Sequence, residues 1–137
     1  MNDQALDILL VDDTKGDAKL AIRAFADGKI AHRMHCSAGG QEALDYIRDS
    51  GAPDFILLDI EMPVMDGFGT LKKLKADPNL AHIPVAMLTS STNEEDVLKS
   101  YNFGAVSFIT KPMNFEGYAQ LVENFNQYWL TSSRLPK

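Results

Sequence analysis

Short apolar runs recur along the chain, and each ends on polar side chains. Ile8-Leu9-Leu10-Val11 runs into Asp12-Asp13, Phe55-Ile56-Leu57-Leu58 into Asp59, Val85-Ala86-Met87-Leu88 into Thr89-Ser90-Ser91, and Val106-Ser107-Phe108-Ile109 into Thr110-Lys111-Pro112. Continuous apolar runs bounded by polar residues predict strands covered on both faces, as in a parallel sheet. The less apolar stretch His32 to Ser37 predicts a further strand nearer an edge.

Between these runs the spacing turns helical. Thr14 with Asp17 has the form of a capping box, and Gly28 can supply a left-handed stop after the first helix. Gln41 to Asp49 carries Leu44 and Ile47 on one face, with Gly51 just beyond. Phe68, Leu71 and Leu74 mark a third helix, which Asp66 can cap and Asp77-Pro78 ends. Thr92 with Glu95 is a second box before Val97, Leu98 and Tyr101, and Gly104 closes that helix. Asn114 can cap a long last helix through Phe115, Ala119, Val122, Phe125 and Trp129.

The order is therefore βα repeated five times, the pattern of a doubly wound parallel sheet with helices on both faces. Right-handed crossovers place every strand's carboxyl end on one edge, where open α/β sheets bind their ligands. Asp12, Asp13, Asp59, Thr89 and Lys111 should converge there. The 137 residues read as one domain (1–137), with a core of 5–130 and a short tail at 131–137.

Charge narrows the chemistry. Thirteen Lys and Arg against nineteen Asp and Glu give a formal net charge of −6, which disfavours sequence-independent nucleic-acid binding and anionic membrane surfaces. One cysteine, Cys36, excludes an internal disulfide and fits a reducing cytoplasm. The start lacks the character of a secretory signal, and no run is long enough for a membrane span, so a cytoplasmic protein is expected. His32, His35 and His82 fall away from the acidic positions and read as ordinary surface or partly buried histidines.

Converging carboxylates repel: two unit charges 4 Å apart do so by about 4 kcal/mol at an effective dielectric near 20. They persist together if a cation neutralises them, if one keeps a proton or if they splay into water. Hard oxygen ligands without His or Cys favour Mg2+, with Mn2+ as the second choice. A divalent ion beside Asp59, an ammonium at Lys111 and a hydroxyl at Thr89 are the parts phosphoryl transfer onto a carboxylate needs. No Gly-Lys-Ser/Thr cradle is present, so the donor should bring its own phosphoryl group rather than ATP.

These residues together resemble the receiver domain of two-component response regulators over essentially the whole chain. Asp12-Asp13 matches that family's metal-holding acidic pair. Asp59-Ile60-Glu61-Met62-Pro63-Val64-Met65-Asp66-Gly67 matches its D-x-x-M-P-x-M-D-G stretch. Thr89 matches the switch hydroxyl, Phe108 the switch aromatic, and Lys111-Pro112 a Lys-Pro pair whose peptide bond is usually cis. The resemblance implies a CheY-like (flavodoxin-like) fold with strand order 2-1-3-4-5 and Asp59 as phosphoacceptor. It implies direct metal ligation by Asp13, Asp59 and the carbonyl of Glu61, with Asp12 acting through water. It further implies tuning of dephosphorylation by Glu61 and Ser91, and a sensor histidine kinase or phosphotransfer protein as donor. Phosphorylation should draw Thr89 inward and let Phe108 fill the vacated space, shifting the region from Thr92 to Trp129.

The last helix carries a wider apolar band than docking on a sheet requires. With Ala119 and Val122 facing the core, Tyr101, Phe115, Tyr118, Phe125, Tyr128 and Trp129 are expected on a partner or homodimer face; the bland alternative packs the helix end under the tail. No effector segment follows Lys137, so the output is expected to be a contact with a downstream protein target. The Ser90–Asp96 region and Tyr128-Trp129-Leu130 are similar to small stand-alone regulators that work with phytochrome-type kinases. Two rival readings stay open: a Mg2+-dependent phosphohydrolase using an aspartyl phosphate, with Glu61 as general acid, and a pseudo-receiver serving as an adaptor.

Overall fold

Each central strand is apolar on both faces because both faces are covered. The computed structural model describes residues 5–91 and 93–132, with side chains described through Gln127. Its elements are β1 (Leu6–Val11), α1 (Lys15–Asp27), β2 (His32–Ser37), α2 (Gly40–Ser50), β3 (Phe55–Leu58), α3 (Gly67–Ala76), β4 (Val85–Thr89), α4 (Glu94–Asn102), β5 (Ser107–Thr110) and α5 (Phe115–Ser132). All strand pairs are parallel, in the order β2-β1-β3-β4-β5. This is the doubly wound architecture that the pattern predicts.

Alternate residues of the three central strands feed two separate cores. Leu9, Val11, Ile56, Leu58, Val85 and Met87 meet Ala43 and Ile47 of α2 and Phe68, Leu71 and Leu74 of α3. Ile8, Leu10, Leu57, Ala86 and Leu88 meet Ala18, Ala21 and Phe25 of α1 and Leu121 and Val122 of α5. A buried Leu truncated to Ala in either layer costs about 2–5 kcal/mol, so both faces hold the sheet in register.

The two sheet edges are finished differently. On β2, Arg33 and His35 are exposed and Arg33 pairs with Asp7 of β1 at 2.8 Å. At β5, the backbone N–H of Phe108 donates to the Tyr101 hydroxyl of α4 at 3.2 Å.

Several local expectations are corrected. Gly28 follows α1 in extended geometry (φ −78°), not a left-handed one. Its small size matters instead, because a Cβ there would lie 2.8 Å from Val122 of α5. The stripe of α5 is also rotated from the expected one: Tyr118, Leu121 and Val122 are buried, and Ala119 is exposed. Tyr118, expected on a partner face, is therefore core at 1% exposure. Phe125 is half-buried and packs edge-on against Phe25 and Phe55, with ring centroids 5.7 and 4.9 Å away. Phe115 is half-buried beneath the Arg23 guanidinium, 5.0 Å from its ring. An eighteen-residue helix buries its long side chains against α1 and the sheet, which draws these aromatics inward. Tyr128 and Trp129 lie outside the residues whose side chains are described, as does Thr92. Among the described residues the first turn of α4 is capped by Asn93, whose Oδ1 accepts from the Glu95 N–H at 2.7 Å. Every described peptide bond is trans, including Lys111–Pro112, unlike the usual bond in the family. No helix of the described residues is long and apolar enough to cross a membrane.

Candidate functional site

The ladder of the parallel sheet continues one step beyond the strands and fixes the site's backbone. Asp12 N–H donates to Ser37 O at 3.0 Å, Asp59 N–H to Val11 O at 2.9 Å, and Lys111 N–H to Thr89 O at 2.8 Å. Residues far apart in sequence thus leave the sheet side by side at its carboxyl edge. Carboxylate oxygens of Asp12, Asp13 and Asp59 lie within 4.8 Å of one another. Asp12 and Asp59 are buried, whereas Asp13 is exposed at the rim.

Into this cluster reaches Lys111. Its ammonium lies 3.0 Å from Asp12 Oδ2, 3.1 Å from Asp59 Oδ2 and 3.0 Å from Asp17 Oδ2. The lysine side chain is 6% exposed, those of Asp12 and Asp59 2% and 4%, and that of Asp17 32%. Burial pulls the ammonium's pKa down, but the hydrogen bonds it donates to Asp12 and Asp17 and the charges of Asp12 and Asp59 outweigh it and hold the group above its ordinary value. Asp12 is held above the usual carboxylate range too. Burial is the main cause and the Asp59 charge adds to it, against the Thr14 N–H and Lys111, which pull the other way. The two shifts are compatible: the ammonium sees several carboxylates, while each carboxylate shares one ammonium.

Sequence spacing does not mark Asp17 as a site residue, because there it reads as half of a capping box. That box does not form: Thr14 makes no side-chain cap bond, and its N–H instead donates to Asp12 Oδ1 at 2.9 Å. A buried ammonium is a stronger partner for Asp17 than a solvated N–H. The readable signal is its place in the first turn of a helix that begins three residues after Asp12.

The β3–α3 loop is held tightly around Asp59. Glu61 N–H donates to Asp59 Oδ1 at 3.3 Å, and Gly67 N–H to Ile60 O at 2.8 Å. A Cβ at Gly67 would collide with the Asp59 carbonyl, so only glycine fits. Val64, wholly exposed, takes φ +68°, a strained conformation for a β-branched residue. Asp66 caps α3, its Oδ1 accepting from Gly69 N–H at 2.9 Å, so it serves the helix rather than the carboxylate cluster.

Thr89 is fully buried, and its hydroxyl oxygen accepts from Ser91 N–H at 3.3 Å. Ser91 in turn donates its hydroxyl proton to Asp96 Oδ2 at 2.6 Å, tying the β4–α4 loop to the first turn of α4. Phe108 is half-buried against the α2/α3 core layer. Cys36 is half-buried against the other layer, and His35 stacks on Tyr46 with centroids 3.7 Å apart. Neither belongs to the carboxylate cluster.

A doubly wound sheet with an acidic pocket and one buried lysine at its carboxyl edge defines the class of receiver-type signalling domains. The comparison with known proteins agrees: the model of the response regulator receiver domain matches residues 8–123. The chain belongs to this family, and thus to the response regulators of two-component systems. A probable methanogenesis regulatory protein, FilR2, of Methanothrix harundinacea is 37% identical over 134 residues, covering 94% of this chain and 86% of its own. Response regulator Rcp1 of Synechocystis is 33% identical over 135 residues, covering 94% and 92%. Among solved structures, the phosphorylated cyanobacterial phytochrome response regulator RcpA superposes with a TM-score of 0.89 at 35% identity, covering 97% of this chain and 99% of that one. The Mn2+-bound form of Rcp1 gives 0.86 at 33% identity, covering 96% and 99%. This chain spans 86% of FilR2, 92% of Rcp1 and 99% of each of the two solved chains, so the likeness runs over nearly their whole length.

Proposed function

We propose that this chain is a single-domain phosphoacceptor: a sensor histidine kinase or phosphotransfer protein donates a phosphoryl group to Asp59, and the altered surface signals to another protein in the cytoplasm. The observation that carries this reading is the setting of the Asp59 carboxylate, buried beside Asp12 and Asp13 with one oxygen 3.1 Å from the Lys111 ammonium. In the transfer, an Asp59 carboxylate oxygen bonds to phosphorus as the bond from phosphorus to the donor imidazole nitrogen breaks, and the electron pair leaves with that nitrogen. Lys111 supplies a fixed positive charge to the phosphoryl oxygens, and the Thr89 hydroxyl, an acceptor at rest, becomes a donor to one of them.

A divalent cation fits the donor set. Asp12, Asp13 and Asp59 offer hard oxygen ligands within 4.8 Å of one another, Asp13 opens the cluster to water, and the burial that raises Asp12 marks negative charge short of compensation. Asp13, Asp59 and the Glu61 carbonyl would hold Mg2+ or Mn2+ directly and Asp12 through water; a bound cation neutralises charge on the transferring group. The Mn2+ form of Rcp1 supports this choice.

Glu61 and Ser91 flank the acceptor and the switch hydroxyl, where they tune the lifetime of the acyl phosphate. Phe108 and Thr89 are the pair whose movement carries the signal to α4 and β5. Leu98, Tyr101 and Val106 leave 64%, 49% and 47% of their surface exposed along α4 and just before β5, which supports a protein-binding or homodimer face there. Likeness to Rcp1 and RcpA favours a phytochrome-type kinase as donor.

Incubation with acetyl phosphate and Mg2+ should add one phosphoryl mass to the wild type and none to Asp59→Asn, and chelation should abolish it. An unmodified wild type would sink the reading.

A further inference from the structure

Lys111 has three ammonium hydrogens and three carboxylate partners, at 3.0, 3.0 and 3.1 Å. Its donors are therefore all in use before any phosphoryl group arrives, and one partner must let go when a phosphoryl oxygen takes its place. Asp59, once modified, keeps a carbonyl oxygen that can go on accepting from the ammonium. The Asp12 side chain is only 2% exposed and keeps the Thr14 N–H on Oδ1 alone, so releasing it would leave a buried carboxylate without its direct ionic partner. Asp17 differs on both counts. Its side chain is 32% exposed, so water can replace the lost bond, and it stands in the first turn of α1, where the helix's positive end favours a lone carboxylate.

We propose that Asp17 is a positioning residue for Lys111, an exchangeable partner that occupies one ammonium hydrogen at rest and yields it to a phosphoryl oxygen. The inference rests on Asp59 being the phosphoacceptor. Asp17 thus competes with the phosphoryl group for the lysine. Removing it leaves the ammonium committed to Asp12 and Asp59 until a phosphoryl oxygen arrives, with one donor free to receive it.

The test is a double-substitution cycle on the full chain, with beryllium trifluoride as phosphoryl mimic, saturating Mg2+ and calorimetric affinities. Asp17→Ala should bind the mimic about tenfold more tightly than wild type, the scale of one partly screened charge contact. Asp17→Asn, whose amide oxygen still accepts from the ammonium, should fall between the two. In a Lys111→Met background, Asp17→Ala should change affinity by less than about twofold. Mn2+ affinity without the mimic gives a second reading. Asp17→Ala should weaken it more when the lysine is present than in the Lys111→Met background, because the freed ammonium then bears wholly on Asp12 and Asp59. Equal effects of Asp17→Ala in both backgrounds would show simple charge repulsion and overturn the positioning role, as would unchanged or weaker mimic binding when the lysine is present. A wild type that takes up no mimic overturns the phosphoacceptor reading itself.

Discussion

At the scale of single residues, the fold keeps side chains that burden its stability. Asp12 is buried, beside two further carboxylates, and held above its ordinary pKa chiefly by that burial. As pH falls, the native protein therefore takes up this proton before the unfolded chain does, so the penalty is present at neutral pH and relieved in acid. Asp12→Asn should raise the unfolding free energy at pH 7 without divalent metal by about 1–3 kcal/mol, the repulsion of one carboxylate pair in a partly solvated site. Urea titration checks this, and saturating Mg2+ should shrink the difference. Tyr118 is a second case. It is 1% exposed, and its hydroxyl has no hydrogen-bond partner among the described residues. Burial first, then the Asp17 charge, pushes its phenol from 10.0 up to about 12. Its folded value lies above its unfolded one, so stability is intact below pH 10 and lost as pH climbs toward 12. Tyr118→Phe should be neutral or stabilising by up to about 1 kcal/mol at pH 7. It should also lose less stability than wild type on alkaline titration, measured by circular dichroism.

At the scale of elements, the central strands were plain in the sequence because their runs, apolar on both faces and bounded by polar residues, are too short for a buried helix. Phe55–Leu58 and Val85–Thr89 emerge as strands at the expected places, and Asp66 and Asn114 cap the helices they precede. What the sequence hid were the choices made by tertiary partners. Asp17 abandons its capping box because an ammonium from ninety-four residues away outcompetes a nearby N–H. The stripe of α5 turns toward Tyr118 because α1 and the sheet accept a large side chain there. Helix α4 has the thinnest core attachment of the helices among the described residues, with Ser100 its one buried residue, so its cap matters more than most. Asn93→Ala removes the acceptor for Glu95 N–H and should destabilise this helix by about 1 kcal/mol. Hydrogen exchange should quicken in α4 before it does in α3.

At the scale of the whole molecule, the candidate site was legible because parallel strands deliver their ends to one edge whatever the loops do. Asp12, Asp13, Asp59 and Lys111 met as the spacing required, while Asp17 was not foreseen, since its role depends on a lysine reach that no spacing rule encodes. The proposed partner face was the less legible part, because exposure of an amphipathic helix is decided by its neighbours. Tyr118 went inside, whereas Leu98 and Tyr101 stayed out. Sedimentation with and without beryllium trifluoride should show self-association that Leu98→Glu abolishes while phosphorylation persists. The Tyr101 hydroxyl over the Phe108 N–H has a consequence of its own. It plugs a backbone donor on the flank where the sheet stops, so loss of that one oxygen frees the Phe108 N–H for water or for another chain's strand. The β2 flank is guarded by charge instead, with Arg33 paired to Asp7 along its edge.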